Sequence, residues 1–74
     1  MRNYVVNSKS ALPHQQRVIA EANDLGERAM KLTQFIKENE IFKTLSEDEQ
    51  FRMIKQLVFM DTYFDVLVER INNF

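Results

Sequence analysis

The stretch PHQQR, residues 13–17, combines side chains that bind anions with the predicted start of a helix. Its first turn would hold His14, Gln15 and Gln16 and no carboxylate, and the first acid of this helix is Glu21. A helix N-terminus carries partial positive charge and unpaired backbone N–H groups, which Asp or Glu normally complement. A first turn that lacks acids and gains an arginine predicts a site for an anion that comes from outside the chain.

A second group of basic side chains lies farther along the same predicted helix. Lys31 follows Arg17 by fourteen residues at the same heptad position, and Arg28 lies about one turn before Lys31. Lys31 would be about 22–27 Å from the start of the helix, so a small anion cannot touch both within one chain. Two copies packed head to tail would bring them together around a ligand with phosphates on opposite edges. The alternative is a solvated helix face whose cations pair with neighbouring acids.

Signals for catalysis are weak in this sequence. There is no Gly-rich phosphate loop and no Ser beside a His in a recognisable context. The absence of Cys and the single His exclude thiolate and multi-His metal sites within one chain. Asp61, Asp65 and Glu69 share one helical face, but a solvated strip or a ladder of ion pairs is favoured over an acid–base or metal site. We therefore expect no enzyme and no cofactor.

Two long helices must position these residues. Apolar residues recur from Val18 at alternating steps of four and three, which predicts a first helix over residues 13–39 that begins at Pro13. The stretch SEDE, Ser46 to Glu49, predicts a capping box in which each side chain accepts from the other residue's N–H, at the start of a second helix over residues 47–72. The short connector predicts an antiparallel, all-α helical hairpin of residues 13–74.

The remaining segments leave alternatives open. Residues 1–12 can form a short helix, an edge strand or a flexible arm. Gly26, in the middle of the first helix, either allows close approach of another backbone or a flat ligand, or is a tolerated neutral position. In the connector, Ile41, Phe42 and Leu45 are expected to plug the end of the hairpin.

The second helix carries more apolar surface than one partner can cover. Outside its heptad seam lie Phe51, Ile54, Val58, Phe59, Val66 and Val68. A chain of 74 residues with 45% hydrophobic residues and no disulfide rarely builds a stable core alone, which leaves oligomerisation. The sequence therefore predicts a compact helical oligomer with the second helix in the shared core. The alternative is a monomer that exposes apolar residues.

Charge and hydropathy restrict the partners. The net charge of −1 disfavours binding to DNA or RNA polymers. No apolar run approaches the length of a membrane span, and the first residues lack the apolar region of a secretory signal. We therefore expect a cytoplasmic protein without a membrane partner.

Several stretches together resemble a known family. HQQRVI, KLTQFI, FKTLSEDEQ and VLVERI, in this order and spacing over residues 13–71, are similar to small phage anti-CBASS proteins that act as cyclic-nucleotide sponges. The resemblance implies compact helical hexamers in the infected bacterial host. These sequester the cyclic dinucleotides of CBASS cyclases, and some sequester cyclic trinucleotides at a separate site, without cleavage.

The resemblance also implies site residues. Dinucleotide pockets of this family lie between protomers and use a residue near the start of the long helix, here Gln15 or Gln16, with a lysine farther along, here Lys31. Some members have an aromatic residue at the early position, so base stacking would be weaker in this chain. The trinucleotide site uses an arginine near the C-terminal end, here Arg70, with Arg17 as the second candidate. The competing hypothesis is an oligomeric interaction module that binds a host protein through the apolar second helix.

Overall fold

The computed structural model describes residues 2–74 of the chain, and these residues form three helices and no strand. Helix α1 spans Pro13–Glu38, α2 spans Glu40–Thr44 and α3 spans Glu47–Asn72. The two long helices pack against each other, which confirms the predicted all-α helical hairpin. The connector contains a short helix because the Asn39 side chain accepts a hydrogen bond from the Ile41 N–H at 2.9 Å and caps α2. Asn39 itself is extended, so α1 ends one residue earlier than predicted.

Helix α1 presents a face of small residues to the rest of the molecule. Its buried residues are Val18, Ala22, Gly26, Ala29 and Thr33. They recur at steps of four and three, so they form one stripe along the helix. The Thr33 hydroxyl donates to the Ala29 carbonyl at 2.8 Å, which satisfies this buried polar group within the helix. A small-residue stripe lets other backbone segments approach α1 closely.

Helix α3 begins with half of the predicted capping box. The Glu49 N–H donates to the Ser46 hydroxyl at 3.1 Å, as predicted. The reciprocal bond is absent from the described residues, because the Glu49 carboxylate instead accepts from Arg52 Nε at 2.9 Å. An arginine one turn later therefore competes with the box for Glu49, and the second half of that prediction was wrong.

The hydrophobic core lies towards the end of the hairpin where α1 begins and α3 ends. Its buried apolar residues are Tyr4, Val18, Ala22, Ala29, Phe64, Leu67 and Ile71. Towards the connector the seam is only half-buried, as at Leu32, Ile36 and Met53. The predicted plug is incomplete. Phe42 packs edge-on against Phe35 with ring centres 6.3 Å apart, but Ile41 is 58% exposed because α2 turns it outward.

Residues 2–12 form an extended arm without helix or strand, and they fold back along α1. Tyr4 anchors the arm, with its ring edge-on to Phe64 at 5.3 Å. A Cβ atom at Gly26 would lie 2.7 Å from the Tyr4 carbonyl oxygen and 2.9 Å from Tyr4 Cβ. Of the alternatives for Gly26, the structure therefore shows close approach of another backbone, and that backbone is the arm.

The molecule is a rod of 46 × 17 × 17 Å. Its radius of gyration is 14.5 Å, whereas about 11 Å is expected for a compact chain of this length. The solvent-accessible surface is 5457 Å², above the roughly 4,800 Å² expected for a compact protein of this mass. Among residues 2–74, no helix has the length and apolar character needed to cross a membrane.

Candidate functional site

The first turn of α1 lacks acids, as predicted, and is partly exposed. His14 and Gln16 are exposed and Gln15 is half-buried. No side chain of the N-cap residue Leu12 caps the helix, but its carbonyl oxygen accepts from the N–H groups of Gln15 and Gln16 at 3.1 and 2.9 Å. Since Pro13 has no N–H, fewer donors remain free here than the sequence suggested.

Ser10 of the arm holds both glutamine side chains. Its hydroxyl donates to Gln15 Oε1, and Gln16 Nε2 donates to the Ser10 carbonyl oxygen at 2.8 Å. The Leu12 N–H donates to the Ser10 hydroxyl at 3.2 Å. Sequence reasoning missed Ser10, although a serine shortly before a helix start is a common local acceptor for backbone N–H groups.

Lys31 and Arg28 are exposed on α1, where each pairs with a carboxylate one turn earlier. Lys31 Nζ lies 3.0 Å from Glu27 Oε1, and Arg28 Nε lies 3.3 Å from Asp24 Oδ2. Within one chain these cations therefore have the solvated, ion-paired arrangement that was the alternative interpretation. Exposed pairs of this kind contribute only about 0–1 kcal/mol, so a phosphate can replace the carboxylate at little cost.

Two of the predicted dinucleotide residues, Gln16 and Lys31, line separate grooves of one chain. Lys31 lines a groove of about 340 Å³ with Phe35 and Glu38, near the end of α1. Gln16 lines another groove of about 470 Å³ with Lys9 and Ser10 of the arm. Since α1 is one continuous helix, the two groups are about 22–27 Å apart, and the chain alone does not bring them together.

The hairpin brings Arg17 and Arg70 to the same end of the molecule, because α1 begins where α3 ends. Both side chains are exposed. Neither has a carboxylate oxygen within 4.0 Å in the part of the chain that the structure describes. Lys9 lies beside the start of α1, in the groove that Gln16 lines.

On the acidic face of α3, two of the three carboxylates, Asp61 and Asp65, have partners in the arm. The Arg2 guanidinium donates to Asp65 and lies 3.8 Å from Asp61, and the Tyr4 hydroxyl donates to Asp61. The hydrogen bond to Asp65 is the main cause that raises the pKa of Arg2. Glu69 has no such partner among residues 2–74, where no group of three or more His, Cys, Asp or Glu that could hold a metal ion occurs.

Comparison with known proteins identifies one family that this chain matches. The family model described as Sequestin matches residues 12–73, which include all three helices and exclude nearly all of the arm. No curated protein and no solved structure was found to match. The match agrees in extent with the resemblance carried by HQQRVI, KLTQFI, FKTLSEDEQ and VLVERI. The chain therefore belongs to the Sequestin family, the phage anti-CBASS sponges for cyclic nucleotides.

Proposed function

We propose that this chain sequesters cyclic dinucleotides and cyclic trinucleotides without cleaving them, and that it blocks CBASS signalling in the cytoplasm of the infected bacterial host. Its membership of a sponge family supports a sequestering role in general. The chemistry of its exposed groups supports anionic ligands, because amide and cationic side chains are the usual partners of phosphate oxygens.

One observation carries the proposal for dinucleotides: both groups of candidate ligands lie on α1, about 22–27 Å apart. A pocket between two copies joins them, with His14, Gln15 and Gln16 from one copy and Lys31 and Arg28 from its neighbour. A cyclic dinucleotide has two phosphates on opposite edges of its ring. The ends of two α1 helices that run in opposite directions match such a ligand.

The trinucleotide site is proposed at the end of the hairpin where α1 begins and α3 ends. Arg70 supplies the main phosphate contact there, and Arg17 is a second exposed arginine at the same end. A guanidinium binds phosphate through two parallel hydrogen bonds, so an arginine without a carboxylate partner is well suited to this role.

A homo-oligomer, in the form of a hexamer, completes the proposal. Helix α3 exposes large apolar side chains on the face opposite α1, namely Phe51, Ile54, Val58, Phe59, Tyr63 and Val66. Contiguous exposed apolar surface of this kind marks an interface. The dinucleotide pocket requires a second contact between copies, in which α1 of one copy lies beside α1 of its neighbour, so the proposed hexamer uses both contacts.

Calorimetry with cyclic di-AMP, cyclic di-GMP and cyclic tri-AMP tests the proposal directly. We expect saturable binding, followed by recovery of chemically intact ligand when the protein is denatured by heat. Absence of binding to the whole panel at micromolar concentrations would end the proposal. Ligand that returns as linear products would contradict the absence of cleavage.

Paired variants test the assigned residues. Lys31→Ala should weaken dinucleotide binding by about 1.5–3 kcal/mol, since a charge-assisted bond is lost. Lys37→Ala is the matched control, because Lys37 is an exposed lysine in the last turn of the same helix.

Arg70→Ala should weaken trinucleotide binding selectively, with Arg52→Ala as the control on α3. Equal loss of both ligands in one variant would indicate collapse of the oligomer.

The apolar face of α3 also favours a second candidate, a module that binds a host protein. Size-exclusion chromatography with light scattering separates the two functions. An assembly of about six times the 8.8 kDa of one chain favours the sponge, whereas a monomer or loose dimer that keeps this face exposed favours the module.

A further inference from the structure

The arm is held at both of its ends and is loose between them. Near its start, Tyr4 is buried, and Val6 packs against the core. Near its end, Ser10 bonds to the first turn of α1. The residues between, 7–9, are exposed and make no hydrogen bond among those found in residues 2–74. The position of Ser10 is therefore set by its own bonds to Leu12 and to the first turn of α1.

Several interactions converge on the anchor. The Tyr4 backbone lies against Gly26, its ring against Phe64, and its hydroxyl against Asp61. Arg2 adds a guanidinium 5.2 Å from the Tyr4 ring centre and 5.3 Å from that of Phe64, besides its ion pairs. This part of the arm therefore contacts both long helices.

Ser10 fixes which atom of each glutamine faces solvent. The Ser10 hydroxyl accepts from the Leu12 N–H and donates its own hydrogen to Gln15 Oε1. A carbonyl oxygen only accepts, so Gln16 must turn Nε2 towards the Ser10 carbonyl. The amide group of Gln15 is left to present its NH₂ outward, and that of Gln16 presents its Oε1.

We propose that the arm is a positioning element of the ligand site, in which Ser10 orients Gln15 as a hydrogen-bond donor for phosphate and Gln16 as an acceptor for a base or sugar. This inference rests on the proposed function. The arm lies almost wholly outside the residues that match the family model. A preoriented amide binds more tightly because less side-chain freedom is lost on binding.

Ser10→Ala is the test, with Asn7→Ala as the control. Asn7 lies in the same arm, is exposed, makes none of these bonds and does not line the groove of Gln16. In ¹⁵N-labelled protein, Ser10→Ala should mobilise the side-chain NH₂ group of Gln15 and raise the Kd for cyclic di-AMP by about fivefold to tenfold. The NH₂ group of Gln16 should stay ordered, because its bond goes to the backbone carbonyl of residue 10, which the substitution keeps. Ser10→Thr retains the hydroxyl and should restore the order of Gln15 and the Kd. Asn7→Ala should change neither.

Each other outcome counts against the inference. If Ser10→Ala leaves the amide group of Gln15 as rigid as in the unaltered chain, the Ser10 hydroxyl does not orient it. If that amide group loosens and the Kd is unchanged, its orientation has no role in binding. If the unaltered chain binds none of the panel, the proposed function fails and the ligand role of the arm fails with it, while the NH₂ measurement still reports on Ser10 alone.

Discussion

Tyr4 is the residue at which burial, aromatic packing and hydrogen bonding meet. Burial raises the pKa of its phenol above the ordinary value near 10, and the hydrogen bond to Asp61 acts in the same direction. Thr33 and Arg2 act in the opposite sense and are outweighed. The folded chain therefore holds this phenol in its protonated form, which is the form that donates to Asp61.

The raised pKa of Tyr4 predicts a loss of stability at alkaline pH. A group with a raised folded-state pKa contributes stability that is fully present below its unfolded value and is lost as the pH rises through the folded value. The free energy of unfolding should therefore fall as the pH rises above about 10. Urea denaturation at a series of pH values measures this slope.

Tyr4→Phe isolates the contribution of the phenol from that of other groups that titrate at high pH. It keeps the ring against Phe64 and should cost about 0.5–1.5 kcal/mol at neutral pH, since only the hydrogen bond to Asp61 is lost. Its stability should decline less steeply than that of the unaltered chain above pH 10. Parallel slopes for the two proteins would show that ionisation of Tyr4 is not coupled to folding.

At the scale of elements, the sequence predicted the features that depend on local patterns and did not predict those that depend on long-range contacts. The heptad steps from Val18 and the Ser46 cap predicted both long helices to within one residue at each end. Such signals lie within a few residues of each other along the chain. The contact of Tyr4 with Gly26 joins residues far apart in sequence and follows no periodic pattern, so the arm stayed open among three structures.

The same division applies to the candidate site. The absence of acids from the first turn of α1 was predicted from residues 13–17 alone, and the structure agrees. The ion pairs of Lys31 and Arg28 followed from their i, i+4 spacing to Glu27 and Asp24. The bonds from Ser10 to the glutamines were missed, because they depend on how an irregular segment turns back on the helix.

Gly26→Ala tests the packing of the arm on α1. An alanine favours the helix by about 1 kcal/mol, but its Cβ would meet the Tyr4 backbone at 2.7 Å, where only a shift of the arm can relieve the clash. We expect a net destabilisation of about 1–3 kcal/mol, measured by urea denaturation.

A variant without residues 2–11 supplies the control for this substitution. The clash with Tyr4 is then absent, and only the contact of the new Cβ with Phe64 Cε2 at 3.1 Å remains. Gly26→Ala should cost clearly less in this background than in the full chain. An equal cost in both backgrounds would show that the arm does not press on Gly26 in solution.

At the scale of the whole molecule, the apolar residues of α3 fall on two opposite faces. One face packs on α1 and the arm through Phe64, Leu67 and Ile71. The other remains exposed, with Val58 at 56% and Phe59 at 66% exposure. The accessible surface of this rod exceeds the value expected for its mass. Association can therefore bury more surface here than it would in a compact domain.

Val58→Glu should separate the copies while leaving the hairpin folded. Val58 lies outside the core of one chain, so helix content should persist, whereas an ionised carboxylate inside a shared apolar interface costs several kcal/mol. Light scattering should then show a smaller particle. Where that particle is a monomer, binding of cyclic di-AMP should disappear, because each pocket draws Gln15 and Lys31 from different copies. Val58→Leu, which keeps the face apolar, should retain both. A dissociated chain that still binds the dinucleotide would contradict a pocket shared between copies, since one chain holds its two sets of ligands about 22–27 Å apart.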